Sequence, residues 1–110
     1  MAFNEPGRSP VAVGSTARRG IDALGNVLRI VGMLIVTVLV VHIVLTLLGA
    51  NPENGLTQLV RDAADTFNLG LSNLFLPQDP RLGVVLNYGT AALIWFVITT
   101  VVVRLVRRIP

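Results

Sequence analysis

His42 is the one side chain in this chain that sets a titratable ring among apolar neighbours, inside an uncharged run from Ile30 to Ala50. Thr46 follows it by one helical turn, and Asn87 and Thr90 stand in a second uncharged run, Leu82 to Val103. An imidazole titrates near neutral pH, and an ionisable group in apolar surroundings is a functional candidate by default. One role for His42 is therefore a proton-responsive or ligand-binding site. The plainer role is a neutral histidine hydrogen-bonded to Asn87, Thr90 or Thr46, and it is favoured because neither run holds an Asp or Glu to complete a relay. With a single His and no Cys, a metal centre lacks ligands, and a haem would need His42 from a second copy. Ser15, Ser72 and the carboxylates all lie outside the apolar runs, so no triad with His42 is expected, and no glycine-rich phosphate loop is present. The expectation is a chain that is not an enzyme, with no catalytic residue, no cofactor and no metal.

The elements that carry these residues follow from length. At about 1.5 Å per residue in a helix, each uncharged run reaches roughly 30 Å, the thickness of a bilayer's hydrocarbon core. A water-soluble helix needs a polar face, and between Ile30 and Leu48 the polar side chains are only Thr37, His42 and Thr46. The mean hydropathy of +0.72 agrees. A chain of 110 residues is also too short to hide two such segments in its own core. A cleaved signal peptide fits poorly, since the first run exceeds a signal core and ends without a small-x-small site.

Arg8, Arg18, Arg19 and Arg29 face Glu5 and Asp22 before the first run, and Arg104, Arg107 and Arg108 follow the second without an acid. Between the runs, Arg61 and Arg81 are outnumbered by Glu53, Asp62, Asp65 and Asp79. Net charges of +2, −2 and +3 place both termini in the cytoplasm by the positive-inside rule, with Arg18, Arg19, Arg29, Arg104, Arg107 and Arg108 holding the topology. These arginines meet anionic lipid head groups. No aromatic residues are interleaved with them, so nucleic acid is not an expected partner.

Residues 1–20, rich in Gly, Ser and Pro, read as a flexible cytoplasmic tail. Ile21, Leu24, Val27 and Leu28 have helical spacing, so residues 21–50 read as a juxtamembrane helix running into the first span. In 51–81 the apolar positions Leu56, Leu59, Val60, Ala63, Ala64, Phe67, Leu71, Leu74 and Phe75 recur at three and four. That spacing predicts an extracytoplasmic amphipathic helix, on the outer surface or packed over the hairpin, capped by Asn51 with Pro52 at its first position, bent at Gly70 and stopped by Pro77. Asp79 and Pro80 predict a second capped start, for a span over 82–103 that precedes a basic tail, 104–110. Trp95 and Phe96 fall mid-span and read as packing or oligomer contacts. Small Gly89, Ala91 and Ala92 are the candidate helix-packing positions. The expected fold is an all-α membrane protein of two antiparallel transmembrane helices joined by an extracytoplasmic amphipathic helix.

The order of first span, His42-Ile-Val-Leu-Thr46, Asn51-Pro52, an amphipathic stretch ending Asn-Leu-Phe-Leu-Pro77, then Asp79-Pro80 and a second span resembles one unit of the YggT family of small bacterial membrane proteins. The likeness covers roughly Ile30 to Val103 in layout, with His42 and Thr46 standing where that family carries Arg and Ser. It implies a role in envelope homeostasis, osmotic or division-linked processes, or assembly of a membrane complex. It implies no catalytic residues, and His42, Thr46, Asn51, Pro52, Pro77 and Asp79 would be structural signature positions.

The reading favoured by the residues is a non-catalytic scaffold or accessory subunit of a larger envelope complex in the bacterial cytoplasmic membrane, partnered by another membrane protein or by copies of itself. The alternative is a small holin-like oligomeric pore or an ion-homeostasis protein. A pore needs a polar stripe, and the polar residues of the two runs make a thin one.

Overall fold

The computed structural model describes the backbone of residues 8–110 and the side chains of residues 16–110. Three helices follow in order, α1 over Arg8–Leu47, α2 over Gly55–Thr66 and α3 over Pro80–Arg107, with no strand among the described residues. Two of them, over Thr16–Leu47 and Pro80–Arg107, are long and apolar enough to cross a membrane.

α1 is longer than the sequence predicts. Of the flexible tail expected over 1–20, residues 1–7 lie outside the described residues, and the remainder is helical from Arg8. Adding a turn to an existing helix fixes one residue per hydrogen bond and avoids the nucleation cost. A second cause is the anchoring of this part of α1 to the end of α3. Arg18 pairs with Asp22 at 3.6 Å, and its guanidinium donates to the carbonyls of Arg107 at 2.6 Å and Ile109 at 2.9 Å. Carbonyls at the end of a helix lack intrahelical donors, and Arg18 supplies them.

The other end of α1 closes on Gly49. With φ at +69°, Gly49 donates to the Thr46 carbonyl and Ala50 to that of Leu45, the paired bonds of a Schellman motif. That reversal takes Asn51 out of contention as a helix cap: its side chain accepts from the Glu53 amide at 3.0 Å, inside a turn. The cap of α2 is Asn54, one turn later than expected, accepting from Leu56 and Thr57.

α2 also stops early. The expected helix to Pro77 ends at Thr66, because Asn68 accepts from the Gly70 amide and Leu69 and Gly70 take φ of 60° and 72°. A side chain that bonds the local backbone competes with helix, and two successive left-handed residues end it. α3 starts as expected, with Asp79 accepting from the Arg81 amide and Pro80 at the first position.

α1 packs along α3, and α2 packs on α1. Ile35 and Leu39 of α1, Ala64 of α2, and Tyr88, Ala91 and Ala92 of α3 form one buried cluster. Going down the pair, Gly49 lies by Arg81, Ile43 by Gly89, Gly32 by Thr99 and Gly25 by Arg107. The tightest of these is Gly32, where a Cβ would overlap the Thr99 side chain. Large apolar side chains elsewhere on both helices point outward: Leu34 is 60% exposed and Leu93 69%.

Candidate functional site

Ile35, Leu39 and His42 repeat at four and three on α1, so one face of the helix carries all three to α3. Asn87, Tyr88, Ala91 and Ala92 form the matching face of α3. Ala91 and Ala92 take the packing positions expected of them, both buried, and their small side chains leave room for fully buried Leu39. Gly89 lies at the edge, where a Cβ would meet only the Ile43 methyl at 4.0 Å.

His42 is 8% exposed, and its ring meets the Tyr88 ring edge-on with centroids 4.6 Å apart. The Tyr88 hydroxyl donates to Asp65 Oδ1 at 2.5 Å, and the Asn68 side chain also reaches it. A hydroxyl donating to a carboxylate makes a short, charge-assisted bond of about twice the usual strength. Asp65, still exposed on α2, bonds Tyr88 rather than His42, so it reaches the level of the histidine only through the Tyr88 ring.

The hydrogen bond expected between Asn87 and His42 is replaced by a different set. Asn87, 3% exposed, accepts from the Phe75 amide at 2.7 Å and donates to the carbonyls of Ser72 at 2.8 Å and Phe75 at 2.9 Å. One amide side chain thereby satisfies three backbone groups of a segment without helical bonds of its own. Thr90 donates to Leu86, as Thr46 does to His42, Thr37 to Met33 and Thr100 to Phe96, each hydroxyl returning to its own helix. Neither Thr46 nor Thr90 is thus spent on the imidazole.

Trp95 extends the set. Its indole N–H donates to the Phe67 carbonyl at 2.8 Å, and the Phe67 ring stands edge-on to it at 5.9 Å. Trp95 lies 14 positions beyond Arg81, about 21 Å along α3. The break after α2 is therefore held far down the helix pair, and Asn87 holds the return. No family model, curated protein or solved structure matches this chain.

At the opposite end of the pair, the topology arginines divide. Arg18 binds the α3 terminus, Arg19 is exposed, and Arg29, Arg104, Arg107 and Arg108 line one cavity of about 330 Å³. Arg107 donates to Asn26 Oδ1 at 2.6 Å, while its Nε is buried without a partner.

Chemically, the His42–Tyr88–Asp65 row fixes rings and a hydroxyl in one geometry. Among the described residues no three His, Asp or Glu side chains converge as metal ligands. Sequence reasoning read Trp95 as a packing residue and Phe67 as part of an apolar face, but missed the bond between them, the Tyr88–Asp65 bond and the Gly32–Thr99 contact. The signals were present in a weak form: Asp65 one position from the apolar stripe of α2, and an isolated glycine in an otherwise bulky run.

Proposed function

We propose that this chain is a non-catalytic membrane hairpin that serves as a scaffold or accessory subunit of a larger envelope complex in a bacterial cytoplasmic membrane. Its spans are antiparallel, its termini cytoplasmic, and its amphipathic connecting segment enters from the outer side as a YggT-like unit. The observation that carries this reading is the outward display of apolar side chains. Only 22% of each apolar helical stretch is buried, whereas the core helix of a soluble protein hides most of its length.

The pairing of Gly25 with Arg107 and of Gly49 with Arg81 supports the antiparallel arrangement. The bonds from Asn87 and Trp95 support a connecting segment that dips between the outer surface and mid-depth, since irregular backbone at that depth must be satisfied by protein. The scaffold reading is favoured over a pore because Thr37, Thr46, Thr90 and Thr100 bond back to their own helices and leave little to line a channel.

Induced expression in cells loaded with a potential-sensitive dye tests the choice. A scaffold leaves the membrane potential unchanged. Depolarisation at the onset of accumulation would contradict it.

A further inference from the structure

We infer that the hairpin binds one anionic phospholipid, its phosphate held by Arg29, Arg104, Arg107 and Arg108 and its acyl chains laid along the groove between α1 and α3. This rests on the membrane reading above.

Four arginines, Arg29 of α1 and Arg104, Arg107 and Arg108 at the end of α3, line a single cavity, and among the described residues no carboxylate lines it with them. The nearest acid along α1, Asp22, already pairs with Arg18. Like charges gathered this closely repel one another until an anion enters, and the planar fork of Arg suits phosphate oxygens. Arg107 is held from one side by Asn26 and keeps its Nε shut from solvent with no partner, so its position is set by the fold rather than by water.

The cavity does not end at the charges. Arg29, Thr100 and Val103 also line a second cavity of about 340 Å³, which leads past Met33 to Phe96. Phe96 in turn closes the near end of a groove of about 610 Å³ that runs to Gly89 and Leu86 with almost wholly apolar walls. From Arg104 to Phe96 is eight positions, about 12 Å, and to Leu86 about 27 Å, so the path leads from the charged edge through most of a hydrocarbon core. A free phosphate would use the arginines and leave the groove without purpose. An acidic peptide would fit the charges but not a groove at that depth. A molecule with a phosphate at one end and hydrocarbon at the other uses both.

The full chain in zwitterionic detergent, titrated with phosphatidylglycerol or phosphatidylcholine and read by native mass spectrometry, tests this. About tenfold greater retention of phosphatidylglycerol is expected, with about tenfold loss in the triple variant R29K/R104K/R107K and no change in R19K. The lysine variants keep every charge, so topology is preserved while the forked geometry is lost. Equal retention of the two lipids, or full retention by the triple variant, would overturn the site. So would displacement of the lipid by millimolar inorganic phosphate, which would make it a site for a free anion. Failure of the protein to float with phosphatidylcholine vesicles would instead overturn the membrane reading itself. Flotation without lipid preference overturns only the site.

Discussion

Tyr88 and Asp65, 23 positions apart, share a hydrogen bond of 2.5 Å that ties α3 to the otherwise exposed side of α2. Because Tyr88 also meets the His42 ring, this bond links all three helices at one level. Its two ends should be energetically coupled. Tyr88→Phe and Asp65→Asn are each expected to cost about 1–2 kcal/mol in mixed-micelle unfolding, with the double variant little worse than either. Additive losses would mean that the pair is not coupled.

His42 tests as a packed ring. His42→Gln keeps polarity but removes the edge-on contact with Tyr88, and a loss of about 0.5–1.5 kcal/mol is expected from the ring contact alone. Unfolding of the variant beside the parent measures it.

Asn87 carries the return of the connecting segment, so its removal has a local signature. Asn87→Ala is expected to speed hydrogen exchange at the Phe75 amide by about tenfold or more, while amides in the middle of α1 keep their protection. Leaving three backbone groups unpaired also lowers global stability by roughly 2–4 kcal/mol.

The tightest glycine between the two helices is Gly32, and Gly89 has far more room. Gly32→Ala forces the stiff Thr99 side chain aside and is expected to cost about 1–3 kcal/mol. Gly89→Ala makes only an ordinary contact with the Ile43 methyl and should stay within about 0.5 kcal/mol of the parent. Unfolding of both variants in one micelle composition separates them.

The two apolar helices, the Asp79–Pro80 start and the Ala91–Ala92 face were legible because each rests on a local rule: length, capping chemistry, or small residues at helical spacing. The shift of the α2 cap from Asn51 to Asn54 was not. Both asparagines offer a capping oxygen, and only the Gly49 reversal, which spends Asn51 in a turn, decides between them. The partners of Asn87 and Trp95 were hidden for a related reason. A buried amide or indole in an apolar run announces that it needs a partner, but not which backbone will come to it. Helical spacing through Phe75 likewise concealed the break at Leu69 and Gly70, since periodicity counts apolar residues and not backbone dihedral angles.

Sidedness is the claim on which the rest stands, and the absence of cysteine makes it directly measurable. Single cysteines at Gln78 and at Ile109 are to be treated in intact cells with a membrane-impermeant maleimide, before and after permeabilisation. Gln78→Cys is expected to label at once and Ile109→Cys only after permeabilisation. Labelling of Ile109→Cys in intact cells would contradict the hairpin with cytoplasmic termini.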